Sequence, residues 1–74
     1  MACRVGMTTN PGERKRFWEG EHPTLHNWTI LGQYNSKSDA QRAETLFARQ
    51  YGCVAEPGGG GSEFERWVVY KFDY

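Results

Sequence analysis

Seventy-four residues, 38% of them hydrophobic and 15% aromatic, limit the chain to one small domain, 1–74, with one core to fill. Nine basic and nine acidic residues cancel, which excludes a highly charged disordered tail, and no apolar run approaches the roughly 18 residues that span a bilayer. Met1-Ala2-Cys3-Arg4 is not followed by the apolar stretch of a signal peptide, so the expectation is a cytoplasmic globular protein with no membrane partner.

Cys3, Val5 and Met7 alternate with Arg4, Gly6 and Thr8, the period of two that a half-buried strand requires, and predict a strand over 2–9. Asn10-Pro11 ends it and opens a helix, because asparagine caps free amides and proline suits the first helical position. That helix is predicted over 11–19, stopped at Gly20, with Arg14, Lys15 and Arg16 on a basic side and Phe17 and Trp18 turned to the core. Arg4, Arg14, Lys15 and Arg16 face only Glu13 over residues 1–18, whereas residues 50–74 lean acidic. A basic segment of this size reaches phosphate within a Debye length of about 8 Å even in a neutral chain, but on charge alone a solvated helix face is the favoured reading.

Residues 21–27 lack periodicity and read as a loop, and β-branched and aromatic residues then predict a strand over 28–35. Ser36-Lys37-Ser38-Asp39 has the form of a helix start, the Ser36 hydroxyl accepting a free amide and Asp39 favouring the positive end of the dipole. Ala40, Ala43, Leu46, Phe47 and Tyr51 continue it as an apolar stripe over 37–51, and Gly52 suits the left-handed residue that ends a helix. Pro57 to Ser62 is a glycine-rich connection. The last strand, 66–73, places Trp67 and Val69 on one face and Val68, Tyr70 and Phe72 on the other, and two apolar faces imply a central position. The fold expected is α+β: a small three-stranded, mainly antiparallel sheet with two helices packed on it.

Cys3 and Cys53 are too few for a disulfide framework and form no C-x-x-C pair, so they read as reduced and packed, the alternative being one bridge between them. A zinc site from these cysteines with His22 and His26 has suitable ligand types but little support from spacing. The glycine run precedes a strand and lacks the Lys-Ser/Thr of a phosphate loop, which leaves it a connector.

Val5-Gly6-Met7-Thr8-Thr9-Asn10-Pro11-Gly12-Glu13-Arg14 resembles the second half of the GIY-YIG nuclease signature, in which a strand ending in glycine leads through a polar turn to an arginine eight residues on. Ser38-Asp39-Ala40-Gln41-Arg42-Ala43-Glu44 resembles the later helix of that family, which carries a metal-binding glutamate, and Trp28 to Tyr34 resembles its third strand. The resemblance covers about residues 3–52. It implies metal-dependent cleavage of nucleic acid: Glu44 holding Mg²⁺ or Mn²⁺ on the scissile phosphate, Arg14 stabilising the charge that develops there, and a tyrosine activating water, roles suited to phosphodiester chemistry.

Arg4 stands where the tyrosine of YIG belongs and Trp18 where many members have a helix histidine. Val68-Val69-Tyr70 resembles the missing GIY strand, so a circular permutation with Tyr70 in the tyrosine's role is the implied arrangement. The expectation is that Arg14, Glu44 and Tyr70 meet in one groove beside the first strand, that Arg4, Lys15 and Arg16 contact DNA, and that cleavage is slow or lost, leaving a degenerate DNA-binding relative. The rival expectation is a non-enzymatic α+β module that binds a protein partner.

Overall fold

A computed structural model describes residues 2–55 and 61–74 of the chain, so the connection expected from Pro57 lies largely outside the described residues. The element order is β1 (Cys3–Thr8), α1 (Pro11–Glu21), β2 (His26–Tyr34), α2 (Lys37–Tyr51), β3 (Val54–Ala55) and β4 (Trp67–Asp73). The α+β class holds, but the sheet has four strands in the order β2-β4-β1-β3. β4 runs antiparallel to both β1 and β2, and β3 is parallel to β1, so the sheet is mixed.

β4 owes its central place to the two apolar faces legible in its sequence. Trp67 and Val69 join Val5, Met7, Ala40 and Ala48 in one buried cluster beneath α2. Tyr70 and Phe72 join Trp18 of α1 in a second, with Leu25, Trp28 and Tyr74 packed against it. Successive side chains of a strand point to opposite faces, so α2 and α1 lie on opposite sides of the sheet.

The start and stop signals of α2 act as expected. Ser36 accepts from the Asp39 amide at 3.2 Å, and Gly52 adopts φ 67°, a conformation open to glycine at no steric cost. Leu46, expected on the apolar stripe, is instead 63% exposed, because six residues beyond Ala40 is well off the line that Ala40, Ala43, Phe47 and Ala48 follow at 3.6 residues per turn.

α1 runs past Gly20 to Glu21, ending where the His22 amide donates to the Trp18 carbonyl at 2.7 Å. A glycine inside a helix costs about 1 kcal/mol against alanine, so it weakens the helix without terminating it. Phe17 is 48% exposed, leaving Trp18 as the helix's buried residue. The segment read as a loop is shorter than expected, since β2 begins at His26.

The two cysteines are bonded to each other, correcting the reading that both are reduced. Their Cα atoms lie 4.9 Å apart across a separation of 50 residues. Closing a loop of that length removes unfolded-state freedom worth on the order of 4 kcal/mol in the chain-entropy account. No helix among the described residues is long and apolar enough to cross a membrane.

Candidate functional site

The passage from β1 into α1 builds a cleft of about 370 Å³, lined by Thr8, Thr9, Asn10, Glu13, Arg14 and Phe17. The Asn10 side chain fixes its floor: Oδ1 accepts from the Glu13 amide at 3.2 Å, while Nδ2 donates to the Glu13 carboxylate at 2.9 Å. The Thr8 hydroxyl accepts from the Asn10 amide at 3.1 Å, and with Pro11 at the first helical position these bonds set the entry angle of α1. Arg14 projects from the first turns with its guanidinium 5.2 Å from the Phe17 ring centroid, a cation–π contact that presents the cation at the cleft. Lys15 is half-buried beside it and Arg16 is exposed.

The helix is not basic as a whole. It extends to Glu21 and so carries Glu13, Glu19 and Glu21 against Arg14, Lys15 and Arg16. Their order matters, because the basic residues crowd the half nearer the N-terminus and Glu19 and Glu21 occupy the other, mostly the reverse of what a helix dipole favours.

Tyr70 faces the same side of the sheet as α1 and is 3% exposed. Its hydroxyl accepts from Trp18 Nε1 at 2.8 Å, and its ring stacks on Trp28 with centroids 4.6 Å apart. It lies across Gly6, its partner on β1, and a Cβ at Gly6 would stand 3.0 Å from Tyr70 Cε1 and closer still to the hydroxyl end. Gly6 therefore has a packing reason to be glycine. Gly6→Val should destabilise the domain by about 2–3 kcal/mol, since the Tyr70 ring cannot move without breaking its bond to Trp18. A urea midpoint equal to that of wild type would show that the ring has room. Arg4 shares this face, its guanidinium 4.8 Å from the centroid of Trp18.

Glu44 is elsewhere. It sits four residues from both Ala40 and Ala48, on the stripe that α2 turns to the sheet, and is 3% exposed. Arg14, Tyr70 and Arg4 thus share one face while Glu44 is enclosed on the other, and the expected groove joining Arg14 to Glu44 is not formed. The physical reason is the spacing itself: i, i+4 from two core alanines is a core position whatever residue fills it. A divalent cation needs several oxygen ligands and room for water, and the enclosed Glu44 does not fit that requirement. Among the described residues no three His, Cys, Asp or Glu side chains gather to hold a metal ion, and the zinc reading loses its cysteines to their mutual bond.

The shifted carboxyl groups lie apart from the cleft. Hydrogen bonds from Asn27 and Lys71 hold the Asp73 carboxyl below its ordinary value, and bonds from the Ser38 hydroxyl and amide do the same for Glu63. Sequence reasoning named Arg14 but missed the Thr8, Thr9, Asn10 and Phe17 lining; the Asn-Pro cap was the available signal, because it fixes where a strand delivers its last side chains to a helix start. No protein-family model matches the chain, and neither a curated protein nor a solved structure matches it.

Proposed function

We propose that this domain binds the phosphate backbone of nucleic acid at the start of α1 without cleaving it, as a degenerate and circularly permuted relative of the GIY-YIG nucleases. The observation that carries the reading is the cleft at the Asn10-capped start of α1, in which Arg14 stands with Glu13, while Lys15 and Arg16 follow along the helix against the preference of the dipole. An anionic partner offsets that unfavourable order, and backbone amides at a helix N-terminus favour the same charge. β4 beside β1, with Tyr70 opposite Gly6, supports the permuted arrangement. Enclosure of Glu44 on the other face argues against cleavage and against Mg²⁺ or Mn²⁺ as a cofactor. We place the protein in the cytoplasm.

Weak DNA affinity that falls with salt is the expected result, since each neutralised phosphate releases counterions. Replacing Arg14 and Lys15 together by alanine should lower the slope of log K against log salt by about 2. Plasmid and branched DNA should remain uncut in Mg²⁺ or Mn²⁺. Nicking by the wild type that a folded Glu44→Gln variant lacks would overturn the non-cleaving reading.

A second reading has its own observation. β2 is a nine-residue edge strand, His26–Tyr34, containing no Asp, Glu, Lys or Arg, so it lacks the charges that usually block pairing with another chain. An extended peptide adding to this edge is the protein-partner alternative. Absence of DNA affinity at low salt favours it.

A further inference from the structure

The bond between Cys3 and Cys53 stands beside the shortest pairing in the sheet. β3 consists of Val54 and Ala55, both exposed, paired in parallel with Arg4 and Val5. Parallel pairing is the less stable kind per residue, and two residue pairs are too few to hold a strand unaided. The register Arg4 to Val54 carries back one step to Cys3 and Cys53, so the covalent link clamps the same ladder at its first rung. Cys53 itself is fixed independently: its amide donates to the Ala48 carbonyl at 2.9 Å, part of the end of α2. Beyond its general restriction of the unfolded chain, what the bond adds locally is the hold of β1 on the residues that follow. Both cysteines are partly exposed, within reach of a soluble thiol.

We propose that the Cys3–Cys53 bond is a reversible redox latch that keeps β3 over the outer edge of β1. A dithiol reductant supplies the electrons. Its thiolate attacks one cysteine sulfur, the S–S bond breaks, and the other cysteine departs as a thiolate that takes up a proton. The second thiol of the reductant then displaces the remaining cysteine, so that two electrons pass to the protein, which ends with two thiols while the reductant ends as a disulfide. The fully buried members of both clusters make their contacts without the cysteines: Val5, Met7, Trp67 and Val69 pack beneath α2, with Cys53 at the margin of that cluster, and Trp18, Tyr70 and Phe72 pack beneath α1. Reduction therefore frees β3 and bares backbone donors and acceptors on one edge of an otherwise folded sheet, the arrangement that accepts a strand from another chain.

Amide hydrogen exchange on the full chain tests the latch, comparing the oxidised protein, the protein in excess dithiothreitol, and the Cys3→Ser/Cys53→Ser variant without reductant. In the reduced protein and the variant alike, whichever of the Val54 and Ala55 amides bonds to β1 should exchange at least about tenfold faster, as a local opening does, while Val69 and Tyr70, although they lose the stabilisation that the cross-link gives the whole fold, stay protected far above that amide. Unchanged exchange at Val54 and Ala55 in both would show that β3 needs no clamp and overturn the proposal. Loss of protection throughout β4 would overturn it too, because the bond would then be holding the whole fold.

Discussion

Ending the chain after Ser62 should leave no folded domain. β4 separates β1 from β2 in the sheet, so its removal leaves those strands without a common neighbour as well as shortening the sheet. Of the four largest fully enclosed side chains, Trp67, Phe72, Val5 and Val69, three belong to β4, and they feed both clusters. Each large core side chain lost costs about 2–5 kcal/mol, against a total stability of about 5–15 kcal/mol for a whole domain. The Cys3–Cys53 bond would survive the deletion, but a bond that restricts the unfolded chain cannot replace a missing core. A proton NMR spectrum collapsed to the random-coil range is the expected outcome. A dispersed spectrum would show β4 to be an appendage and would remove the basis for pairing Tyr70 with Gly6 in any permuted site.

Legibility in the sequence followed how local each cause was. α2 could be bounded because Ser36, Asp39 and Gly52 each act within a turn of where they stand, and β4 could be placed centrally because Trp67 and Val69 make one of its faces apolar and Val68, Tyr70 and Phe72 the other. β3 could not, since two exposed residues carry no pattern and their pairing with Arg4 and Val5 depends on a contact across 50 positions. α1 was misjudged at its end because it buries Trp18 alone and offers no stripe from which to read a boundary. Glu44 shows a different limit. The resemblance nominated it as a ligand on an open groove, but its spacing from Ala40 and Ala48 puts it on the face that α2 turns to the sheet, and in the structure the spacing decides where the side chain goes. Arg14 was named by the resemblance, through its offset of eight from Gly6, since the residues alone give only a basic helix, whereas its separation from Glu44 required knowing that the two helices take opposite faces.

Trp67→Ala should cost about 3–5 kcal/mol, more than any other single substitution considered for this chain. The ring is 2% exposed and shares its cluster with Val5, Met7, Ala40, Ala48 and Val69, so truncation opens a large void that the rigid sheet cannot close. It also anchors the segment leading into β4. Trp67 Nε1 donates to the Ser62 carbonyl at 2.9 Å, and the ring packs against Gly61, where φ of 91° and a ring atom 2.7 Å from any added Cβ both require glycine. That segment in turn meets the start of α2, where the Lys37 amide donates to the Glu63 carbonyl at 2.8 Å and the Ser38 hydroxyl to its carboxylate at 2.6 Å. Trp67→Phe separates the two contributions: it keeps most of the bulk and loses the Nε1 bond, and should cost about 1–2 kcal/mol. Urea unfolding of the three proteins, with equal m-values to confirm an unchanged transition, provides the measurement. A loss for Trp67→Ala no greater than that for Trp67→Phe would mean that the bond to Ser62 outweighs the packing, and that the cluster beneath α2 does not depend on this ring.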